Sequence, residues 1–292
     1  MNLDDKLEYF ISNIPVMLFV NRIHDASSYD KEHIKNLVLT FINEARETLR
    51  FLSPYLNKED RILEVGAGLC IFSLFLKNEC YDIVALEPAL GGYELFSVSK
   101  DIIIKYYQEM QLDILEMKAE DINRKIHGKF DLVYSSNVIE HIPHFDKTLD
   151  ALTNILSCEG KMVHSCPNYF IPYDPHFQIP VFKKMPELSI SLFGNKITSL
   201  ALWRSLNFIS YFDLTLYAKH RDIRLSFEKG LLYQAFRRLD TDIYFEKRHS
   251  GLNSIYKFLK VTRLIYLLQY LPAYLSTPMV FQMIPSKKQT HI

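Results

Sequence analysis

The chain has 292 residues, of which 48% are hydrophobic and 23% charged, proportions that exclude a disordered, collagen-like or disulfide-framework protein. Lysine plus arginine number 34 and aspartate plus glutamate also number 34, so no overall basic excess offsets a phosphate backbone and general nucleic-acid binding is not expected. Charge is unevenly placed all the same: residues 1–204 carry 21 basic and 28 acidic side chains, residues 205–292 carry 13 and 6, and the later part is the one expected near anionic partners.

In chain order, MNLDDKLEYF puts acids where a signal peptide has its positive region, and no run approaches the ~18 apolar residues of a membrane span. A cytoplasmic protein is expected. Ile34, Leu37, Val38, Phe41, Ile42, Ala45, Leu49 and Leu52 recur at helical spacing before Pro54, which predicts one amphipathic helix over 34–52 laid on a larger body. From Arg61 the pattern alternates: RILEV, a helix over 70–78, DIVALE, a helix over about 94–109, LDILEMK, FDLVYSS, a helix over about 146–157, and GKMVHSC. Strands separated by helices of this length read as successive βαβ units. The fold class is therefore α/β, a Rossmann-like doubly wound, mostly parallel sheet with helices on both faces, plus an N-terminal helix and a C-terminal helical insertion.

After Cys166 the segment PNYFIPYDPHFQIP holds four prolines in 14 residues and reads as a long ordered loop leaving a strand end. Beyond it, LNFIS, a helix over about 211–221 and IRLSF are expected to resume the sheet, with PMVFQMI at 278–284 as the last β-type run. Between them 232–275 is helical in pattern. The domain reading is an N-terminal helical segment (1–58), an α/β core (59–230) that includes a substrate loop and helix (167–204), a helical cap (231–276), and a final strand and tail (277–292). Cys70, Cys80, Cys158 and Cys166 form no CxxC pair and lack the companion histidine spacing of a structural zinc site, so reduced thiols and no metal are expected.

The strongest local signal is Glu64-Val65-Gly66-Ala67-Gly68-Leu69-Cys70, where a strand ends and a helix begins. Glycines at 66 and 68 allow a sharp turn and close approach of the backbone to a ligand, beside helix N-terminal amides. A dinucleotide fold wants a third glycine at 71, and Ile71 stands there, so the pyrophosphate fingerprint is incomplete. Glu87 ends the second strand 19 residues after Gly68, placed to accept hydrogen bonds from both hydroxyls of a ribose.

Four items in order, EVGAG at 64–68, the acid of ALEP at Glu87, KAEDI at 118–122 and FDLVYSSNVIEHI at 130–142, resemble the class I S-adenosylmethionine-dependent methyltransferases (type 11/12-like). The resemblance covers roughly residues 60–167. It implies S-adenosyl-L-methionine as cofactor, with Glu64 among the cofactor-binding residues, Gly66 and Gly68 bordering the methionine moiety and Glu87 on the ribose. Ala119 with Glu120 or Asp121 would edge the adenine, and Ser135, Ser136 and Asn137 would floor the sulfonium. Lys118 stands where many relatives have an acid or small polar residue, so the hydrogen bond to the adenine amino group falls to Asp121 or to the backbone.

Methyl transfer needs donor and nucleophile held in line, and a neutral hydroxyl acceptor also needs a base. His176, in the Pro-rich loop, is the candidate base with Asp174 orienting it, and Tyr169 and Tyr173 could complete an acceptor pocket; the other reading of this loop is a rigid brace. His141 follows the fourth strand, where the resemblance implies a loop-ordering part, with a catalytic one as the alternative. RLIYLLQYLPAYL at 263–275, with cations nearby, suits either a buried helix or a peripheral contact with the inner membrane face. The expected acceptor is a sugar or lipid-linked glycan hydroxyl. A small metabolite or quinone-type phenol is the alternative enzyme reading, a non-catalytic cofactor-binding or partner-binding protein the alternative of another class, and an NAD-dependent dehydrogenase is disfavoured by Ile71.

Overall fold

In a computed structural model, residues 1–88, 94–197, 199–241, 251 and 253–286 are described. Three helices come first, α1 (Leu3–Ser12), α2 (Val16–Ala26) and α3 (Lys31–Leu52). Asn2 and Asp30 cap α1 and α3 by accepting from Asp5 N–H and His33 N–H at 2.8 and 2.9 Å, which satisfies amides that a helix start leaves unpaired. α3 carries the predicted stripe, with Ile34, Val38, Ile42, Ala45, Leu49 and Leu52 buried, and stops before the Pro54 turn. The sequence reading anticipated α3 alone; α1 and α2 are additions to it.

The alternating elements follow: β1 (Arg61–Val65), α4 (Ile71–Asn78), β2 (Asp82–Leu86), α5 (Glu94–Tyr106), β3 (Asp113–Leu115), α6 (Arg124–His127), β4 (Phe130–Ser136), α7 (Phe145–Asn154) and β5 (Leu156–Cys166). Then come α8 (Pro186–Phe193), α9 (Leu200–Ser205), α10 (Tyr211–His220), β6 (Ile223–Phe227), α11 (Leu231–Thr241), α12 (Asn253–Val261) and β7 (Met279–Pro285). The seven strands form one sheet in the order β3-β2-β1-β4-β5-β7-β6. β1 pairs in parallel with β2 and β4, β2 with β3, and β6 runs antiparallel to β7. Helices on both faces bury the parallel strands, which is why RILEV and DIVAL read as continuous apolar runs.

The chain divides into two compact units, Met1–Ser136 with Asp146–Val163, and Asn137–Phe145 with His164–Ile292. The first has its core in Ile62, Leu63, Ile83, Val84, Leu132 and Val133 of the strands, with Phe72 and Phe75 of α4. The second is built on β7, with Met279, Val280, Phe281 and Met283 buried, and on Leu214 and Tyr217 of α10.

Two expectations are corrected. LNFIS is no strand: residues 206–210 are irregular, and Leu206 is buried in a cluster with Tyr169, Phe177 and Trp203, so packing rather than a ladder explains its apolar character. LDILEMK yields only the three-residue β3. The Pro-rich stretch is an ordered loop as expected, pinned by one bridge between Asp174 and Ile179. In 232–275 the described residues form α11, α12 and two 3-10 segments, Leu264–Tyr270 and Ala273–Leu275; 242–250, 252 and the tail from 287 lie outside the described residues. No described helix is long and apolar enough to cross a membrane.

Candidate functional site

In the first unit the chain leaves β1 through Gly66 and Gly68 with φ of 72° and 54°, the left-handed region in which a side chain is strained. Gly66 N–H and Ala67 N–H donate to Leu86 O at 2.7 and 3.2 Å, and Gly68 N–H donates to Glu87 Oε2 at 2.7 Å. The acid at the end of β2 is thereby tied to the glycine turn. A Cβ on Gly68 would lie 2.1 Å from the Phe41 ring of α3, so a side chain there must displace that ring as well as adopt a strained φ.

Phe41 and Glu44 of α3, Glu64, Gly66, Ala67 and Ser136 line one cleft. Glu64 is buried, and the Ser73 hydroxyl donates to its carboxyl group. Burial pushes the Glu64 carboxyl up to about 7, against the hydrogen bond from Ser73 and with help from the nearby Glu87 charge. Glu87 is half-buried; burial raises its pKa, opposed by the Gly68 N–H and by Lys100. A glycine turn with a carboxyl group at the next strand end suits a ligand that pairs an amino-acid tail with a ribose diol.

Of the sequence-predicted cofactor residues, Glu64, Gly66 and Ser136 line this cleft, and Gly68 and Glu87 join directly. Ser135, at the end of β4, is fully buried. Ala119, Glu120 and Asp121 form a 3-10 turn after β3 with Ala119 buried and the two acids exposed; Thr148 donates to Glu120 at 3.4 Å. These four do not line the cleft. Asn137 belongs to the second unit, at φ 54°, with its N–H given to Ser165 O at 2.8 Å. Phe41 and Glu44 escaped the sequence reading, because a helical stripe does not reveal which of its members faces a cleft.

In the second unit the three candidate catalytic residues come together. Asp174 is fully buried and accepts from Tyr169 Oη–H at 2.7 Å, Phe177 N–H at 2.8 Å and His176 Nδ1 at 3.2 Å. Burial alone would raise its pKa; the hydrogen bonds from His176 and Tyr169 outweigh burial, so its carboxyl lies below the usual range. A carboxylate only accepts, so His176 carries its proton on Nδ1 and presents Nε2 as its second ring nitrogen. Tyr169 and Phe177 also anchor the loop in the cluster around Trp203, so the loop is both braced and furnished with a partly exposed histidine.

His141 packs edge-on against His176, ring centroids 5.2 Å apart. Ser205 Oγ gives its only proton to Leu202 O at 2.7 Å, so it accepts from His141 Nδ1 at 2.8 Å, which fixes the His141 proton on Nδ1. Burial, with the neighbouring His176, pushes the His141 pKa down to about 4, and its imidazole is neutral at pH 7. Asn207 holds the turn beneath: its amide donates to Ile139 O and Ile142 O at 2.7 and 2.8 Å, and its backbone N–H donates to Glu140 O at 2.8 Å. Glu140 is fully buried beside His141, with Oε1 4.0 Å from Nε2. Neither Ser205 nor Asn207 was singled out in the sequence, because their parts depend on segments far apart along the chain.

Comparison with known proteins supplies the remaining findings. A family model described as "Methyltransferase domain" matches residues 39–217, more than half of the chain. Two curated relatives, Uncharacterized protein MT1557 and Uncharacterized protein Rv1509 of Mycobacterium tuberculosis, are each 33% identical over 198 residues, 65% of this chain and 66% of theirs. Among solved structures, phosphoethanolamine N-methyltransferase 2 of Haemonchus contortus with bound S-adenosyl-L-methionine aligns over 83% of this chain and 52% of that one at 15% identity and a TM-score of 0.48. The CcbJ methyltransferase of Streptomyces caelestis aligns over 44% and 51% at 13% identity and a TM-score of 0.38.

Proposed function

We propose a function on the premise that this chain belongs to the class I S-adenosylmethionine-dependent methyltransferases: it transfers a methyl group to a hydroxyl of a sugar or lipid-linked glycan. The observation that carries the hydroxyl reading is the buried Asp174–His176 pair with neutral His141 beside it. A neutral amine is already a nucleophile, whereas a neutral alcohol is a poor one until its proton is drawn away. His176, His141 and Asp174 are accordingly the residues that activate the acceptor.

Bound to the cradle, S-adenosylmethionine supplies a methyl group already activated by a positive sulfur. The chain's part is to hold and orient. The Gly66–Gly68 turn admits the backbone close to the donor, Glu87 takes the ribose diol, and Glu64 and Ser136 border the methionine end. Asp174 keeps the His176 proton on Nδ1, and Ser205 does the same for His141.

The glycan reading and placement at the inner membrane face draw support from the C-terminal part. α12 and the turn after it expose Ile255, Phe258, Val261, Leu264, Tyr266, Leu267 and Tyr270, interleaved with Lys257, Lys260 and Arg263, an arrangement that suits an anionic bilayer surface carrying a lipid-linked acceptor. The test is an acceptor screen with radiolabelled donor, comparing membrane-extracted glycolipids, free sugars and quinone-type phenols. Label in a glycan ether supports the proposal; label confined to an amine or a phenol refutes the acceptor class.

A further inference from the structure

We infer that Glu140, His141 and His176 form a binding site for one divalent first-row transition-metal cation. Their ligand-capable atoms lie within 4.8 Å of one another, the group among the described residues that could hold an ion. Two imidazoles and one carboxyl group are the donor set of borderline cations such as Mn²⁺, Fe²⁺, Co²⁺ and Zn²⁺, rather than of Mg²⁺ or Ca²⁺, which take oxygen.

The second layer points the same way. Both imidazoles have Nδ1 engaged, His176 by buried Asp174 and His141 by Ser205, whose own proton is committed to Leu202 O. Nε2 is then the nitrogen of each ring that would take a metal, and a carboxylate or hydroxyl on the far nitrogen is the usual support of a metal-bound histidine. His141 Nε2 stands 4.0 Å from Glu140 Oε1, so a nitrogen and a carboxyl oxygen lie a short side-chain movement from sharing one ion. Ligands about 2.1 Å from a tetrahedral metal are roughly 3.4 Å apart, so closing the trio takes a movement on the scale of a side-chain torsion. Glu140 is buried, whereas His141 and His176 are 24% and 22% exposed, leaving an open side for an exogenous oxygen.

The site lies outside what the sequence suggests, because a Glu-His dipeptide and a histidine in a distant loop do not make a zinc spacing. Binding of the cation assumes nothing about the acceptor. Its part in catalysis rests on the hydroxyl reading: an alcohol bound to such a cation ionises near neutral pH, as metal-bound water does. The alcohol's proton then passes to solvent, the oxygen bonds the methyl carbon, and the carbon–sulfur pair stays on sulfur. In that state His176 and His141 serve as ligands.

The test is calorimetric titration of the metal-stripped 292-residue chain with Zn²⁺, Co²⁺ and Mg²⁺, without donor or acceptor, in a Cys80→Ser/Cys158→Ser background that removes the two exposed thiols. One equivalent of Zn²⁺ or Co²⁺ per chain is expected, with Mg²⁺ bound far more weakly. Binding should weaken at least about tenfold in His141→Ala, His176→Ala and Glu140→Gln, and about 10- to 100-fold in Asp174→Asn, while circular dichroism reports an intact fold. The Co²⁺ ligand-field band should shift in each histidine variant. An unchanged band and stoichiometry in both histidine variants, equal affinity for Mg²⁺, or no saturable binding by the parent would overturn the site. Metal binding without glycan methylation would leave the site standing and remove only the acceptor proposal.

Discussion

Glu64 makes folding stability depend on pH in an unusual direction. Its carboxyl is raised from 4.5 to about 7, first by burial and further by Glu87, with Ser73 opposing. A raised acid binds its proton more tightly in the folded chain than in the unfolded one, so its contribution is fully present below about pH 4.5 and lost as pH rises through about 7. The interval of about 2.5 units corresponds to about 3 kcal/mol, a sizeable part of a domain's net stability. Glu64→Gln retains the shape and cannot ionise. Urea unfolding of parent and variant between pH 4.5 and 8 should therefore show the parent losing about 3 kcal/mol relative to the variant over that range, and a carbon-detected titration should place the Glu64 midpoint near 7. Parallel curves for the two proteins, or a midpoint near 4.5, would refute the reasoning.

Gly68→Ala should abolish detectable donor binding by calorimetry, since the new Cβ meets the Phe41 ring and the φ of 54° is strained; Phe41→Ala in the same chain should restore part of the affinity, and additive losses would mean that the two residues do not compete for space. His176→Ala should lower the methyl-transfer rate by about 10² to 10⁴ with donor affinity nearly unchanged, a split read from kcat against donor Kd. Asn207→Ala removes the side-chain donor from Ile139 O and Ile142 O, of which Ile139 O keeps the longer bond from Ile142 N–H, and should cost about 1–3 kcal/mol in urea unfolding. Co-sedimentation with anionic vesicles should occur at low salt and fall as salt rises; absence of binding at low salt would remove the membrane contact.

Much of the fold was legible because buried parallel strands and a helical stripe are written directly in apolar spacing: RILEV, DIVAL, FDLVYSS and IRLSF all became strands. LNFIS misled because a short apolar run is equally compatible with a packed loop, and here Leu206 serves the Trp203 cluster. α1 and α2 had readable signals in Leu7, Phe10, Ile11, Phe19, Val20 and Ile23, overlooked beside the longer stripe of α3. At the site, Gly66, Gly68 and Glu87 were legible because their parts depend on local backbone geometry. Phe41, Ser205 and Asn207 were not, because each acts on a segment remote along the chain, and only the folded arrangement brings Ser205 to His141 or Phe41 to Gly68.

The most direct test of the central claim is calorimetric titration of the purified protein with S-adenosylmethionine, its demethylated product and NAD in parallel. Saturable binding of the first two at one site per chain, with no heat from NAD and loss of both in Gly68→Ala, is the expected result; binding of NAD alone, or of none of the three, would contradict the donor cradle.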